Sequence, residues 1–295
     1  MTAHPFDVTL VTSRELPDLD ADDRPLAAEL GRRGLTVAVA AWDDAAYDWG
    51  ATRLALVRSP WDYHHRIEEF LHWAERAAGR TALLNPPAVL RWNLHKGYLV
   101  ELARAGAPVV PTALLRRGPA ADLAQLASER GWRDLIVKPA VSADSWETHF
   151  VGAAEVTAGQ AHVDRLQPAR DLLVQPFLSA VEDAGERCLV FLDGEFSHAV
   201  RKNALTRGGR WSGLPEGAPV EVADDELAAA RRVLAAQPWR GLLYARVDLV
   251  RDGEGVPRLL ELELAEPTLF LAGCVAGLRR LADGVERRLA AAAPG

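Results

Sequence analysis

Apolar and polar positions along the first third of the chain recur in a fixed order: a short apolar run, then a helical or loop segment, then another run. VTLVT at 8–12, LTVAVAA at 35–41 and LALVRS at 54–59 are apolar runs of strand length. Continuous apolar strands separated in this way predict a small parallel α/β sheet covered on both faces. Asp22 and Asp23 open a helix-like run to about Arg33, and Gly34 closes it. Over 64–79, Ile67, Phe70, Leu71, Ala74 and Ala78 recur at helical spacing and give one core-facing stripe.

After a turn at Asn85-Pro86-Pro87 the pattern predicts a short helix following Asn93, with Lys96 near its start and Gly106 at its end. It then predicts a strand near 109–115, a helix near 119–130, the strand LIVKP at 135–139, a polar loop, a helix near 155–166 and the strand LLVQPF at 172–177. Longer strands follow: ERCLVFL, EFSHAVRK, LLYARVDLV and RLLELEL, the last two alternating apolar and polar as an antiparallel sheet with one open face does. A helix near 272–292 finishes the chain. These elements divide into an N-terminal α/β domain (1–92), a small α+β lobe (93–175) and a C-terminal α+β lobe (176–295). No repeat or low-complexity linker interrupts them.

A chain of 295 residues buries roughly three-quarters of its unfolded surface and needs no disulfide or metal staple. Its two cysteines, Cys188 and Cys274, have no metal or redox spacing, and Cys188, inside CLVFL, reads as a small buried hydrophobe. A net charge of −7 argues against a broad footprint for nucleic acid or an anionic membrane. The N-terminus lacks a basic-then-apolar leader, and the uncharged stretch 267–278 is too short to span a bilayer, so a cytoplasmic protein is expected.

The densest chemistry lies in LLYARVDLV–RDGEGVPR–LLELEL, 242–264. Asp252, Gly253 and Gly255 mark a hairpin. Alternation puts Ala245, Val247 and Leu249 on one face and Arg246 and Asp248 on the other. In the second strand it puts Leu260, Leu262 and Leu264 on the buried face, opposite Glu261 and Glu263. Pairing Val250 with Leu259 sets Asp248 across from Glu261 and Arg246 across from Glu263. Adjacent carboxylates repel, and oxygen ligands clustered in this way suit magnesium shared with phosphate and water; a solvated strand face of alternating charge is the other reading. Lys138 at the end of LIVK, the hydroxyls of Ser142, Ser145 and Thr148 behind it, and Lys96 offer cations and donors to phosphate. Neither GxxxxGK[ST] nor GxGxxG stands at a strand–helix junction. Histidines 64, 65, 95, 149 and 198 show no zinc-ligand spacing.

In this order, WNLHKGYLVELARAGAPVVPT (92–112), LIVKPAVSA (135–143), LLVQPFL (172–178), GER (185–187) and YARVDLV…LLELEL (244–264) resemble the ATP-grasp superfamily. The likeness is to the branch holding glutathione synthetase and D-alanine–D-alanine ligase, and within it to the cyclo-ligases that close D-cycloserine from O-ureidoserine, whose substrate-side segment RSPWDYHHR (58–66) also resembles. The resemblance spans about two-thirds of the chain. It implies a Rossmann-like domain followed by two α+β lobes clasping ATP. It also implies ligation through an acyl phosphate, with ATP and Mg2+ as cofactors. Lys96 and Lys138, with Ser142 nearby, would hold the phosphates. Gln175 and the backbone around Phe177 would meet adenine, and Glu186 the ribose. Asp248, Glu261 and Glu263 would ligate magnesium, and Arg246 would stabilise the transition state. Two departures stand out: Glu263 where many relatives carry Asn, and a phosphate loop without glycine between Val141 and Phe150, which implies a stiffer lid.

The partner expected is a small amino-acid-like molecule, and the sequence leaves a homo-oligomer open. Arg58 and Asp62 follow a strand end and suit a substrate carboxylate and ammonium, or else form a structural pair under a tryptophan. Lys202 and Thr268 are the remaining substrate-side candidates. A peptide-bond-forming ligase and a nucleotide binder without turnover stand as alternatives; the latter has little need of Arg246.

Overall fold

In the computed structural model, residues 4–213 and 216–291 are described. The N-terminal sheet has four parallel strands in the order β2-β1-β3-β4: β1 (Phe6–Thr12), β2 (Val37–Ala41), β3 (Thr52–Ser59) and β4 (Ala82–Leu84). One face packs on α1 (Arg24–Arg32), whose Leu26 and Leu30 meet Val8, Leu10, Leu54 and Leu56. The other packs on α2 (Ile67–Ala78), where Phe70 and Trp73 join Trp42, Trp49 and Val57. Of the expected stripe of α2, Phe70, Leu71 and Ala74 are buried and Ile67 and Ala78 only half-buried, while Trp73 and Ala77 take core places.

The second sheet is antiparallel, in the order β5-β8-β6-β7: β5 (Ala113–Leu115), β6 (Leu135–Pro139), β7 (His149–Val151) and β8 (Leu172–Pro176). It is covered by α5 (Leu123–Arg130) and α6 (Val156–Leu166). Helix α6 approaches β7 so closely that a Cβ at Gly159 would sit 2.6 Å from a Val151 methyl, and glycine is required there.

The third sheet is also antiparallel, in the order β11-β10-β9-β12-β13: β9 (Glu186–Leu192), β10 (Glu195–Lys202), β11 (Ala218–Pro219), β12 (Tyr244–Arg251) and β13 (Pro257–Glu263). The short α7 (Ala180–Ala184) leads into it. Its core face, with Leu189, Val247, Leu249, Leu259 and Leu262, packs on α3 (Pro87–Asn93), α4 (Tyr98–Arg104) and α8 (Asp224–Ala236). Within residues 87–110, Val89, Tyr98, Leu99 and Leu102 pack on the third sheet in a core that also takes in Leu173 of the second, while Leu90 and Leu94 pack in the core of the first. The last helix, α9 (Val275–Ala291), crosses back to the first: Leu281, Val285 and Leu289 share a core with Val8, Leu26 and Leu30.

In the β12–β13 hairpin, Arg246 lies opposite Glu263 and Asp248 opposite Glu261, as the alternation predicts. Beyond them the register departs from expectation: Leu249 pairs with Leu259 and Val250 with Arg258, because a bulge makes Leu260 an extra residue. Leu259 takes the core position and Leu260 lines the cleft instead. Among the described residues, no helix is long and apolar enough to cross a membrane.

Candidate active site

A cavity of about 490 Å³ opens where the three sheets meet, lined by Lys96, Lys138, Glu186, Lys202, Arg246, Glu261 and Glu263 among others. The hairpin fixes the acids. Its outer edge is covered by side chains: Asn93 donates to Leu262 O (2.7 Å) and accepts from Leu264 N (2.7 Å), and the Tyr98 hydroxyl accepts from Leu262 N (2.9 Å). The same segment delivers Lys96, whose N–H donates to Ala140 O (2.7 Å). Helix α4 begins only at Tyr98, so Lys96 stands in the turn before it rather than on its first turn. The Lys96 Nζ reaches Glu261 (3.0 Å) and donates to Ser142 O (2.7 Å), with the Ser142 hydroxyl at 3.4 Å.

Buried charges persist only when paired, and this site is a network of such pairs. Arg246 grips both oxygens of Asp248 (2.8 Å each), bonds Glu263 and donates to Thr268 O (2.9 Å). Lys202, at the end of β10, lies 3.3 Å from Glu186 and 3.7 Å from Asp248. Burial works to raise the Glu261 pKa, but Lys96, Lys138 and Lys202 outweigh it and hold the group at about 2. Burial with the charges of Asp248 and Glu261 pushes Glu263 up to about 8 against Arg246. Lys138, on the cavity wall, is lowered, chiefly by desolvation.

The acids offer oxygen alone, the donor chemistry magnesium selects. Glu261 and Glu263 reach the cavity wall with about a fifth of each side chain exposed (21% and 22%). Asp248 differs from expectation: it is fully buried behind the wall and holds Arg246. Among the described residues, no three His, Cys, Asp or Glu side chains are gathered as a ready ligand set; the carboxylates turn to lysine and arginine. A magnesium–phosphate group would compete with those cations for the same oxygens.

One end of the cavity is apolar, walled by Val110, Ile136, Leu178, Val250 and Leu260. Gln175 is there, donating to Thr112 Oγ1 (2.9 Å) while its own carbonyl oxygen is buried without a partner. The Phe177 N–H is taken by Asp134 O (2.8 Å), so it has no donor left for a base; the Leu178 N–H makes no hydrogen bond among the described residues. Sequence reasoning missed Leu178, Leu260 and Val110, because apolar residues beside a strand look alike whether they meet a core or a ligand.

Two substrate-side expectations are corrected. Arg58 is 1% exposed and off the cavity, its Nε on Asp23 (2.8 Å) and its Nη2 on Pro267 O (2.8 Å). Asp62 accepts from the Trp42 indole (2.8 Å) and pairs with Arg66 (2.7 Å), also off the cavity. Neither forms the Arg58–Asp62 pair that was the other reading. Each found a partner distant in sequence or in a neighbouring turn, which spacing does not reveal. Thr268 and Lys202 line the cavity, joined by Trp61, Tyr63, Glu266 and Phe270.

Lysines facing an acidic hairpin across a cavity where three sheets meet suit a phosphate-bearing ligand. Comparison with known proteins places the chain more finely. Residues 8–85 match the family model described as the N-terminal domain of D-cycloserine synthetase. The chain is 33% identical to the cycloserine biosynthesis protein DcsG of Streptomyces lavendulae, over 96% of this chain and 98% of that protein. The crystal structure of D-cycloserine synthetase superposes with a TM-score of 0.87 at 32% identity, covering 96% and 99% of the two chains. A RimK-domain ATP-grasp protein of Sphaerobacter thermophilus gives 0.68 at 20% identity over 94% and 98%, a likeness of fold. The chain belongs to the D-cycloserine synthetase family of ATP-grasp ligases.

Proposed function

We propose that this ligase activates the carboxylate of a small amino-acid-like substrate as an acyl phosphate and lets a nitrogen of the same molecule displace the phosphate. O-ureidoserine, closed to cycloserine in the cytoplasm, is the substrate the reading favours. The carrying observation is the single cavity on which Lys96, Lys138, Lys202 and Arg246 face Glu186, Glu261 and Glu263. A carboxylate is a poor electrophile until one oxygen becomes part of a leaving group. ATP supplies the phosphoryl, ADP leaves, and attack by nitrogen then releases phosphate.

Lys96 and Lys138 hold the ATP phosphates, with the Ser142 hydroxyl beside Lys96. Gln175 and the Leu178 amide meet adenine in the apolar end, in place of the Phe177 amide, and Glu186 meets the ribose. Glu261 and Glu263, backed by Asp248, would hold magnesium, which when bound neutralises phosphate charge. Arg246, fixed by Asp248, Glu263 and Thr268, presents its guanidinium where charge develops on the transferred group. For the acyl phosphate to survive, the lobes must exclude water, which would hydrolyse it.

The test is ADP and phosphate release with ATP, magnesium and O-ureido-D-serine, with the product mass measured. Stoichiometric release with formation of cycloserine is expected. Phosphate release only with dipeptides or peptides would overturn the substrate assignment, and ATP binding with no release on any of these would overturn turnover itself.

A further inference from the structure

Immediately after β13 the chain leaves the sheet, yet it is held as firmly as a strand. Six consecutive carbonyls, from Leu264 to Leu269, each accept a hydrogen bond from a side chain contributed from elsewhere. Asn85 Nδ2 donates to Leu264 O (2.7 Å) and the Trp61 indole to Glu266 O (3.1 Å), while the Tyr244 hydroxyl lies 2.8 Å from both Ala265 O and Val57 O and shares its one proton between them. Arg58 donates to Pro267 O (2.8 Å), Arg246 to Thr268 O (2.9 Å) and His198 Nε2 to Leu269 O (2.8 Å). Asp22 adds a grip on the amides of Leu269 and Ala272, both at 3.1 Å. Backbone outside regular structure normally satisfies itself with water or turns; here buried and half-buried side chains replace the sheet ladder.

The segment bends at Ala265 and Glu266, and beyond the bend its residues alternate in burial. Ala265, Pro267 and Leu269 face inward, while Glu266, Thr268 and Phe270 line the cavity. Glu266 is unlike the other acids there. Glu186 pairs with Lys202, Glu261 with Lys96 and Glu263 with Arg246, but among the described residues no lysine or arginine pairs with Glu266. Its neighbour is the Tyr63 phenol, and burial raises its pKa. Lys96 and Arg246 act on it only from beyond contact, and a carboxylate on a rigid wall, partly removed from water and without a direct ion pair, is a place prepared for a cation from the ligand.

We infer that Glu266, with Tyr63 beside it, binds the α-ammonium of the amino-acid-like substrate, and that the six-carbonyl strap holds it at a fixed distance from the Lys96–Arg246 phosphate site. This rests on the reading of the reaction given above. It also makes Arg58 a positioning residue. Fully buried and oriented by Asp23, Arg58 fixes Pro267 rather than touching substrate.

The test compares O-ureido-D-serine with its deamino analogue, the same molecule lacking the α-amino group. Glu266→Gln is expected to raise KM for O-ureido-D-serine at least tenfold, to leave KM for ATP within twofold, and to erase the preference over the deamino analogue; Glu266→Asp is expected to restore part of it. The ATP-induced thermal shift reports that the variants fold. Equal losses on both compounds, or an unchanged preference, would overturn the assignment. D-Serine binding in the presence of a non-hydrolysable ATP analogue reads the same site without turnover. If wild type binds D-serine and Glu266→Gln does not, while O-ureido-D-serine gives no phosphate, the reaction reading fails and the ammonium site stands. Equal D-serine binding by both proteins would sink the site alone.

Discussion

Arg246 does three things at once: it neutralises Asp248 and Glu263, anchors the Thr268 carbonyl and faces the cavity. Truncating it to alanine would strand two buried carboxylates and mix folding with catalysis, so Arg246→Lys is the sharper probe. Lysine keeps the charge and loses the planar fork. We expect kcat to fall by about 10²–10³-fold, with ATP affinity held within about tenfold, read by steady-state kinetics and calorimetry. Equal losses in both would make Arg246 a binding residue. For Glu261, whose folded pKa of about 2 lies below the ordinary 4.5, the stabilisation is full above pH 4.5 and fades as pH falls toward 2. The stability gap between wild type and Glu261→Gln, measured by urea unfolding, should narrow over that window; a constant gap would show that the lysines do not hold this group. Asp23→Ala leaves the Arg58 guanidinium buried without its acid, and about 3–5 kcal/mol of stability should be lost. The facing of Arg246, Asp248, Glu261 and Glu263 was legible because strand alternation fixes which charges share a face, whereas Lys96 and Lys138 were picked out by the family resemblance. The Asp23–Arg58 pair was not, since its members are 35 positions apart and on different elements.

The loop between β6 and β7, without a glycine between Val141 and Phe150, takes its turns at residues that carry a Cβ. Asp144, Ser145 and Glu147 all have left-handed φ, 48°, 55° and 55°, each costing on the order of 1 kcal/mol for a residue with a Cβ. Side chains offset that cost. Trp146 packs on His64 and His65, with ring centroids at 5.5 and 5.8 Å, and under Arg170 at 4.6 Å, while Glu147 pairs with Arg165. We propose that these contacts, from His64 and His65 after β3 and from Arg165 and Arg170, act as a latch on the loop. Trp146→Ala should free the loop, so that phosphate is released several-fold faster than product forms; an unchanged ratio of phosphate to product would show that the latch does not exclude water. At this scale the missed elements have physical reasons. β4 and β7 have three residues each, too few for a period to show. Helix α8 is rich in alanine, which blurs its apolar stripe. The bulge at Leu260 was hidden by two adjacent leucines that fit either phase.

The molecule as a whole is tied by connections that ignore chain order. Helix α9 closes the N-terminal sheet from the far end of the chain, and Arg33 reaches Asp283 (2.6 Å) and Glu286 (2.7 Å) across that contact. Asn85, at the exit of the first sheet, is fully buried among backbone groups of the third: its amide donates to Tyr244 O (3.2 Å) and Leu264 O (2.7 Å), and its oxygen accepts from Leu243 N (3.3 Å). Sequence periodicity marks where each sheet begins and is blind to such ties, because one asparagine in a turn reads as punctuation. The consequence is cooperative. The first and third sheets cannot separate without exposing Leu281 and Val285 and leaving buried polar groups unpaired, so they should unfold in one calorimetric transition. Asn85→Ala removes three buried hydrogen bonds and leaves Leu243, Tyr244 and Leu264 backbone groups unsatisfied, a loss of about 3 kcal/mol or more. Because Asn85 also holds the first carbonyl of the substrate-side strap, the same variant should raise KM for the amino-acid substrate while leaving KM for ATP unchanged. A drop in stability with both constants unmoved would show that the strap is set locally by Tyr244, Trp61 and Arg58, and not by the junction of the sheets.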